Sequence, residues 1–219
     1  VTLKASELNT IQQWAEHYNF PITQSQLSAL WNYGQMILDW NKKINLISRK
    51  DEEGVLIKHI LHSLSINFFY RLSPGDKVLD IGTGGGLPGI PMAITNPDSD
   101  FLLIDSIGKK INACQDMIEK LGIKNAKTKK TRIEELDQKK YDLILSRQVA
   151  PLTKLCKWVE PYLKSNGKLI CLKGGKIDDE INQALIYGAE NLTFPEDVQT
   201  HPLGFLGDRF DEKYMVICV

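Results

Sequence analysis

Two hydrophobic rhythms divide the chain, and the change falls near residue 71. Up to Tyr70 the apolar positions recur three or four apart: Trp14, Tyr18, Leu27, Leu30, Trp31, Ile37, Leu38 and Trp40. That spacing predicts helices with one face turned to a core, so these aromatics are read as packing rather than as a ligand box. Pro21 interrupts the run, and Thr23 followed by Gln26 has the form of a capping box that opens a second helix. The pattern breaks at Asn41–Lys43, and a further helix is expected from Glu52 to Tyr70.

From Asp76 onward, short apolar runs alternate with helical stretches. Val78–Ile81, Phe101–Ile104, Tyr141–Leu145, Lys168–Leu172 and Tyr214–Cys218 read as strands. Helices are expected up to Ile94, over 108–121, over 152–163 and after Lys176. Apolar strands alternating with helices predict an α/β fold, a mostly parallel sheet with helices on both faces. The expected organisation is an N-terminal helical extension over 1–70, packed on a Rossmann-like domain over 71–219.

Composition narrows the class. At 42% apolar and 25% charged residues, the chain is ordinary globular material, which excludes disordered, collagen-like and disulfide-dense proteins. Charges interrupt every apolar stretch, so no membrane span is expected. Lys4, Glu7 and Glu16 speak against a signal peptide in the opening stretch. Cys114, Cys156, Cys171 and Cys218 form no CxxC pair and are expected to be reduced, buried thiols of a cytoplasmic protein.

The zero net charge conceals a segregation. Residues 105–176 hold 17 Lys+Arg against 8 Asp+Glu, and residues 177–219 hold 2 against 9. The basic block suits either a polyanion-facing surface or a solvated face offset by the acidic tail.

The most informative stretch is Asp80-Ile81-Gly82-Thr83-Gly84-Gly85-Gly86-Leu87-Pro88-Gly89, which joins a strand to a helix. Gly84, Gly86 and Gly89 satisfy GxGxxG, and no Lys-Ser or Lys-Thr follows to make a P-loop. An acid at the strand end would repel a pyrophosphate on the helix N-terminus. It favours S-adenosylmethionine, which carries an ammonium and a sulfonium but no phosphate. Asp105 ends the next strand, 23 residues after Gly82, where a carboxylate can accept both ribose hydroxyls. The pattern is the usual opening of a class I S-adenosylmethionine-dependent methyltransferase.

Gly82–Pro91, Leu103-Ile104-Asp105-Ser106 and Lys109-Lys110 closely resemble the bacterial small-subunit rRNA methyltransferase G family, also called glucose-inhibited division protein B. The resemblance extends to Lys43–Leu46, His59–Leu64, Arg132–Glu135, Ser146-Arg147 and Leu172-Lys173-Gly174. It implies methylation of N7 of a guanine (guanine 527) in the 530 loop of 16S rRNA, within the small ribosomal subunit. A monomer is the default expectation, and no metal is expected because no Cys or further His completes a set with His59 and His62. By resemblance Gly82 and Leu87 line the donor pocket, and Ile133 with Glu134 frame the adenine. With Asp80, Gly84, Gly86 and Asp105 from the turn and its neighbouring strand, these are the expected donor residues. Arg147, beyond the fourth strand, is expected to hold the donor's carboxylate or a substrate phosphate, and Lys173 to guide RNA. Two departures stand out: His62 occupies a position where the family usually has Asp, and Gln148 one where it usually has Ala.

Guanine N7 carries an in-plane lone pair, so in-line transfer requires alignment and no general base or covalent intermediate. No Asp/Asn-Pro-Pro-aromatic turn and no Pro-Cys pair follow the fourth strand, which argues against amino-nitrogen and carbon-5 chemistry. Three alternatives remain: a methyltransferase for a small molecule or protein, a nicotinamide oxidoreductase, and a donor-binding RNA module without turnover. Phosphate contacts are expected from Lys109, Lys110, Lys127, Lys129, Lys130 and Arg132.

Overall fold

A computed structural model describes residues 2–137 and 140–219. Helices α1 (Ala5–His17) and α2 (Gln24–Asn41) lead the chain. The Thr23 hydroxyl accepts the Gln26 N–H at 3.3 Å while the Thr23 N–H donates to Gln26 Oε1 at 2.9 Å, so the expected capping box closes α2 at its start. The helix expected over 52–70 is broken instead into a π-helical turn, Leu56–Leu61, and two short pieces, α3 (His62–Leu64) and α4 (Ile66–Phe69).

Seven strands form one sheet in the order β3-β2-β1-β4-β5-β7-β6. They are β1 (Lys77–Ile81), β2 (Asp100–Asp105), β3 (Ala126–Lys130), β4 (Tyr141–Arg147), β5 (Leu163–Gly174), β6 (Val198–Pro202) and β7 (Lys213–Cys218). The first five run parallel, and β7 is antiparallel to both β5 and β6. The order reverses between β1 and β4, which opens a crevice at their carboxyl ends, the usual ligand position in such sheets.

Helix α5 (Gly89–Thr95) follows β1, α6 (Gly108–Lys120) follows β2, α7 (Leu152–Val159) follows β4 and α8 (Asp178–Asn191) follows β5. The helix expected to reach residue 163 stops at Val159, where a 3₁₀ turn containing Pro161 takes over. Strands β3 and β6 carry too few apolar residues to be read from pattern. Each is an edge strand rich in polar side chains, and in β3 only Ala126 is buried.

The two sheet faces bury separate clusters. On one, Leu30, Tyr33 and Ile37 of α2 and Ile60 of the π-helical turn pack with Leu87, Ile90, Leu103 and Leu145. On the other, Leu155 and Val159 of α7 and Ala184 of α8 pack with Leu79, Ile104 and Ile144. The N-terminal helices are therefore also tied to the sheet's ligand edge by polar contacts. The buried Tyr33 hydroxyl donates to the Gly85 carbonyl at 2.8 Å, and Trp40 Nε1 donates to Asp116 of α6 at 2.9 Å.

Tyr33→Phe keeps the packing but leaves the Gly85 carbonyl without this donor. It is expected to cost about 1–3 kcal/mol, seen as a lower urea midpoint. The melting temperature is expected to fall by roughly 2–4 °C for each kcal/mol.

Candidate active site

The glycine turn has to leave β1, pass a ligand and enter α5 within a few residues. At Gly82, φ is +64° and a Cβ would lie 2.6 Å from Val149 Cγ2, so both the backbone and the close approach demand glycine. At Gly89 the constraint is space alone, since a Cβ would stand 2.6 Å from Asp80 Oδ2 and 2.8 Å from Leu103 Cγ.

A cleft of about 750 Å³ opens over this turn, at the carboxyl ends of β1, β2 and β4. That size suits a cofactor site. Gly82, Gly84, Leu87, Asp105, Ile133, Glu134 and Arg147, all expected donor residues, line it together. Asp105, 7% exposed, accepts the Gly84 N–H on Oδ2 at 3.0 Å and the Ile107 N–H on Oδ1 at 2.8 Å. Each carboxylate oxygen retains a lone pair for a further donor. Of the lysines and arginines expected to meet phosphate, Lys110 and Arg132 line the cleft, while Lys127, Lys129 and Lys130 lie on edge strand β3 and Lys109 on α6.

Three expected site residues do not line the cleft. Asp80 is fully buried beneath the turn, where Oδ2 accepts from the Thr83 hydroxyl at 2.5 Å and from the Gly89 N–H at 2.9 Å. Through Oδ2 it holds the turn in shape from below, while Oδ1 is buried without a hydrogen-bond partner. Burial pushes its carboxyl up to about 7, against the opposing pull of those two hydrogen bonds and of Arg147. Gly86 lies under the turn, where a Cβ would meet Ile90 Cδ1 at 2.4 Å. Lys173, 8% exposed, donates to the Ala150 carbonyl at 2.7 Å and pairs with Glu180 at 2.5 Å, fastening the loop after β4 to α8.

Several lining residues were not legible as such. Leu46 stands over Gly85, and its backbone N–H is held by Asn41 Oδ1 at 2.8 Å, a link made only when the N-terminal segment folds back. Val149, Lys154 and Trp158 reach the cleft from the loop after β4 and from α7.

Arg147 is half-buried and donates from Nη1 to His59 Nδ1 at 2.8 Å. A guanidinium only donates, so Nδ1 of His59 is an acceptor and its proton sits on Nε2. Burial, reinforced by the charge on Arg147, lowers the His59 pKa to about 3 and keeps the ring neutral. The same two causes hold His62 well below the ordinary histidine range. Among the described residues no group of three metal-ligating side chains comes together.

Two outcomes follow. In Gly82→Ala the left-handed backbone costs about 1–2 kcal/mol, and the clash with Val149 adds to it. Donor affinity by calorimetry is expected to fall at least tenfold, and Val149→Ala in the same chain is expected to restore part of it. The Asp80 carboxyl has a folded pKa above its unfolded value. Its contribution to stability is therefore fully present below about pH 4 and is lost as pH rises through 7, at about 1.4 kcal/mol for each tenfold change in proton affinity. Urea midpoints at pH 5 and pH 8 are expected to drop less in Asp80→Asn than in the parent chain.

The family model described as rRNA small subunit methyltransferase G matches residues 26–196. A ribosomal RNA small subunit methyltransferase G from Chlorobium phaeobacteroides is 51% identical over 199 residues, covering 91% of this chain and 90% of that one. Its counterpart from Chlorobaculum tepidum is 44% identical over 212 residues, covering 97% and 98%. Among solved structures, a SAM-dependent methyltransferase from Aquifex aeolicus superposes with a TM-score of 0.58 at 16% identity, covering 78% of this chain and 94% of that one. A ribosomal protein L11 methylase from Lactobacillus delbrueckii subsp. bulgaricus gives 0.52 at 20%, covering 76% and 78%. These distant likenesses establish the fold, a Rossmann-like S-adenosylmethionine-dependent methyltransferase fold. The sequence similarity, which covers nearly the whole chain, goes further: the chain belongs to the rRNA small subunit methyltransferase G family.

Proposed function

We propose that this protein transfers the methyl group of S-adenosylmethionine to N7 of a guanine in the 530 loop of 16S rRNA. The observation that carries the reading is the convergence of Gly82, Gly84, Asp105, Ile133, Glu134 and Arg147 on one cleft in a chain of this family. When bound there, S-adenosylmethionine supplies an electrophilic methyl group on a sulfonium sulfur.

The residues suit such a guest. The free lone pairs of Asp105 face the cleft and can take the two ribose hydroxyls. Leu87 and Ile133 offer apolar contact to an adenine, and Glu134 lines the cleft next to Ile133. Arg147 presents a fixed guanidinium to a carboxylate or a phosphate. Asp80 and Tyr33 act at one remove, as buried positioning residues that fix the turn without lining the cleft.

A guanine N7 needs no proton removed, so the residues' task is to align it with the methyl group and to exclude water. Leu46 and Val149, pressed against Gly85 and Gly82, narrow the space above the turn and serve both ends. The reaction transfers positive charge from sulfur to the base, and Asp105 and Glu134 keep carboxylates nearby while it does so. The acceptor is small-subunit rRNA, naked or within the assembling subunit, and the protein acts as a cytoplasmic monomer.

Transfer of labelled methyl to undermethylated small subunits and to naked 16S rRNA, followed by mapping of the base, tests this. Label on one loop guanine at N7 is the expected result. Label on a small molecule or protein instead, or none at all despite donor binding, would overturn it. Asp105→Ala is expected to weaken the donor about 10- to 100-fold, the worth of a hydrogen bond to a charged group, in equilibrium dialysis.

A further inference from the structure

Behind the donor cleft lies a second cavity of about 540 Å³, and Arg147 and Gln148 form the wall between the two. Its cations come from three distant parts of the chain: Lys58 from the π-helical turn, Arg147 from the end of β4, and Arg209 and Lys213 from the approach to β7. The last 43 residues contain nine acids and only two cations, and those two, Arg209 and Lys213, both line this cavity. A solvated face would scatter them among their acidic neighbours.

Asp51 is the one carboxylate on the lining; Lys58 holds its Oδ1 at 3.2 Å, and its Oδ2 lies 3.9 Å from His59 Nε2, beyond hydrogen-bond distance. Among the described residues, Arg147, Arg209 and Lys213 have no carboxylate within 4.0 Å. Converging cations without an acid repel one another, and a half-buried guanidinium is costly unless a negative partner joins it. The other lining groups are His59 and His62, whose Nε2 atoms are buried and lack a hydrogen-bond partner. Because His59 accepts from Arg147 on Nδ1, its Nε2 is a donor. The cavity thus gathers cationic and neutral donors around a space with room for a phosphate and the sugar attached to it.

We propose that this second cavity is a phosphodiester site, in which Arg147, Arg209 and Lys213 hold a backbone phosphate of the acceptor RNA beside the target nucleotide. The proposal rests on RNA being the acceptor, as argued above. Arg147 then belongs to both compartments: one face of its guanidinium is set by His59, and the grip on phosphate fixes where the neighbouring base enters the donor cleft. His59 is the positioning residue for that guanidinium.

The test uses the full chain and the double variant Arg209→Gln/Lys213→Gln, whose altered positions are exposed and half-buried respectively. Unchanged donor affinity confirms that the variant folds. In the first arm, inorganic phosphate is titrated while the ring protons of the four histidines are followed by NMR. Saturable shifts confined to His59 and His62, with a dissociation constant at least tenfold weaker in the variant, are expected. No saturable shift, or an equal constant in the variant, overturns the site whether or not the protein methylates RNA.

The second arm measures direct binding of a fluorescent 530-loop RNA at several salt concentrations, independent of methyl transfer. The variant is expected to bind about tenfold more weakly, with a salt dependence shallower by about 0.7, the value for one phosphate of a single strand. Weaker phosphate binding with unchanged RNA affinity and slope would overturn the RNA backbone as occupant and leave free phosphate in its place.

Discussion

Everything in the site depends on holding a side-chain-poor loop rigid. Gly82, Gly84 and Gly85 present backbone to the cleft, and glycine has no side chain of its own to pack. The loop is fixed by what lies beneath and above it. Below, one oxygen of the buried Asp80 carboxyl collects the Thr83 hydroxyl and the Gly89 N–H, tying the two ends of the turn together. Above, Leu46 stands over Gly85, while the buried Tyr33 hydroxyl donates to the Gly85 carbonyl and Asp105 accepts the Gly84 N–H from the side. A dry carboxyl with a raised pKa is the cost of that lower clamp.

The sequence disclosed most of this architecture where burial writes a pattern. The central strands β1, β2 and β4 are apolar because helices cover both their faces, and their expected limits fall within two residues of the observed ones. Strands β3 and β6 escaped because an edge needs few apolar residues and tolerates lysine. The break-up of residues 56–69 escaped because a π-helical turn and an α-helix share much of their hydrophobic spacing.

Within the site, motif reading found the residues that approach the ligand edge in sequence order: Gly82, Asp105, Ile133, Arg147. It does not show which residues the fold occupies with protein partners. Asp80 looked like a contact for a cationic donor, but it lies buried under the turn, where its Oδ2 takes up the Thr83 hydroxyl and the Gly89 N–H. Lys173 looked like a guide for RNA, but α8 supplies Glu180 to meet it. Leu46 falls within a stretch of family resemblance but motif reading gives it no place in the site, because only the folding back of α2 and Asn41 brings it over the glycines. Charge counting pointed to the basic block of residues 105–176, whereas three of the four cations around the second cavity lie outside that block. Segment totals describe the chain; convergence of cations belongs to the fold.

The link from α2 to the turn bears on modularity. The α/β half looks like a portable cassette, the same sheet on which many unrelated transferases are built. Here it is not separable: its Gly85 carbonyl, its Ile90 side chain and the roof over its cleft are all finished by the first fifty residues. A shortened descendant that shed those helices would lose the fit of its ligand loop along with them. The N-terminal helices are in that sense part of the ligand site and not an appendage to it.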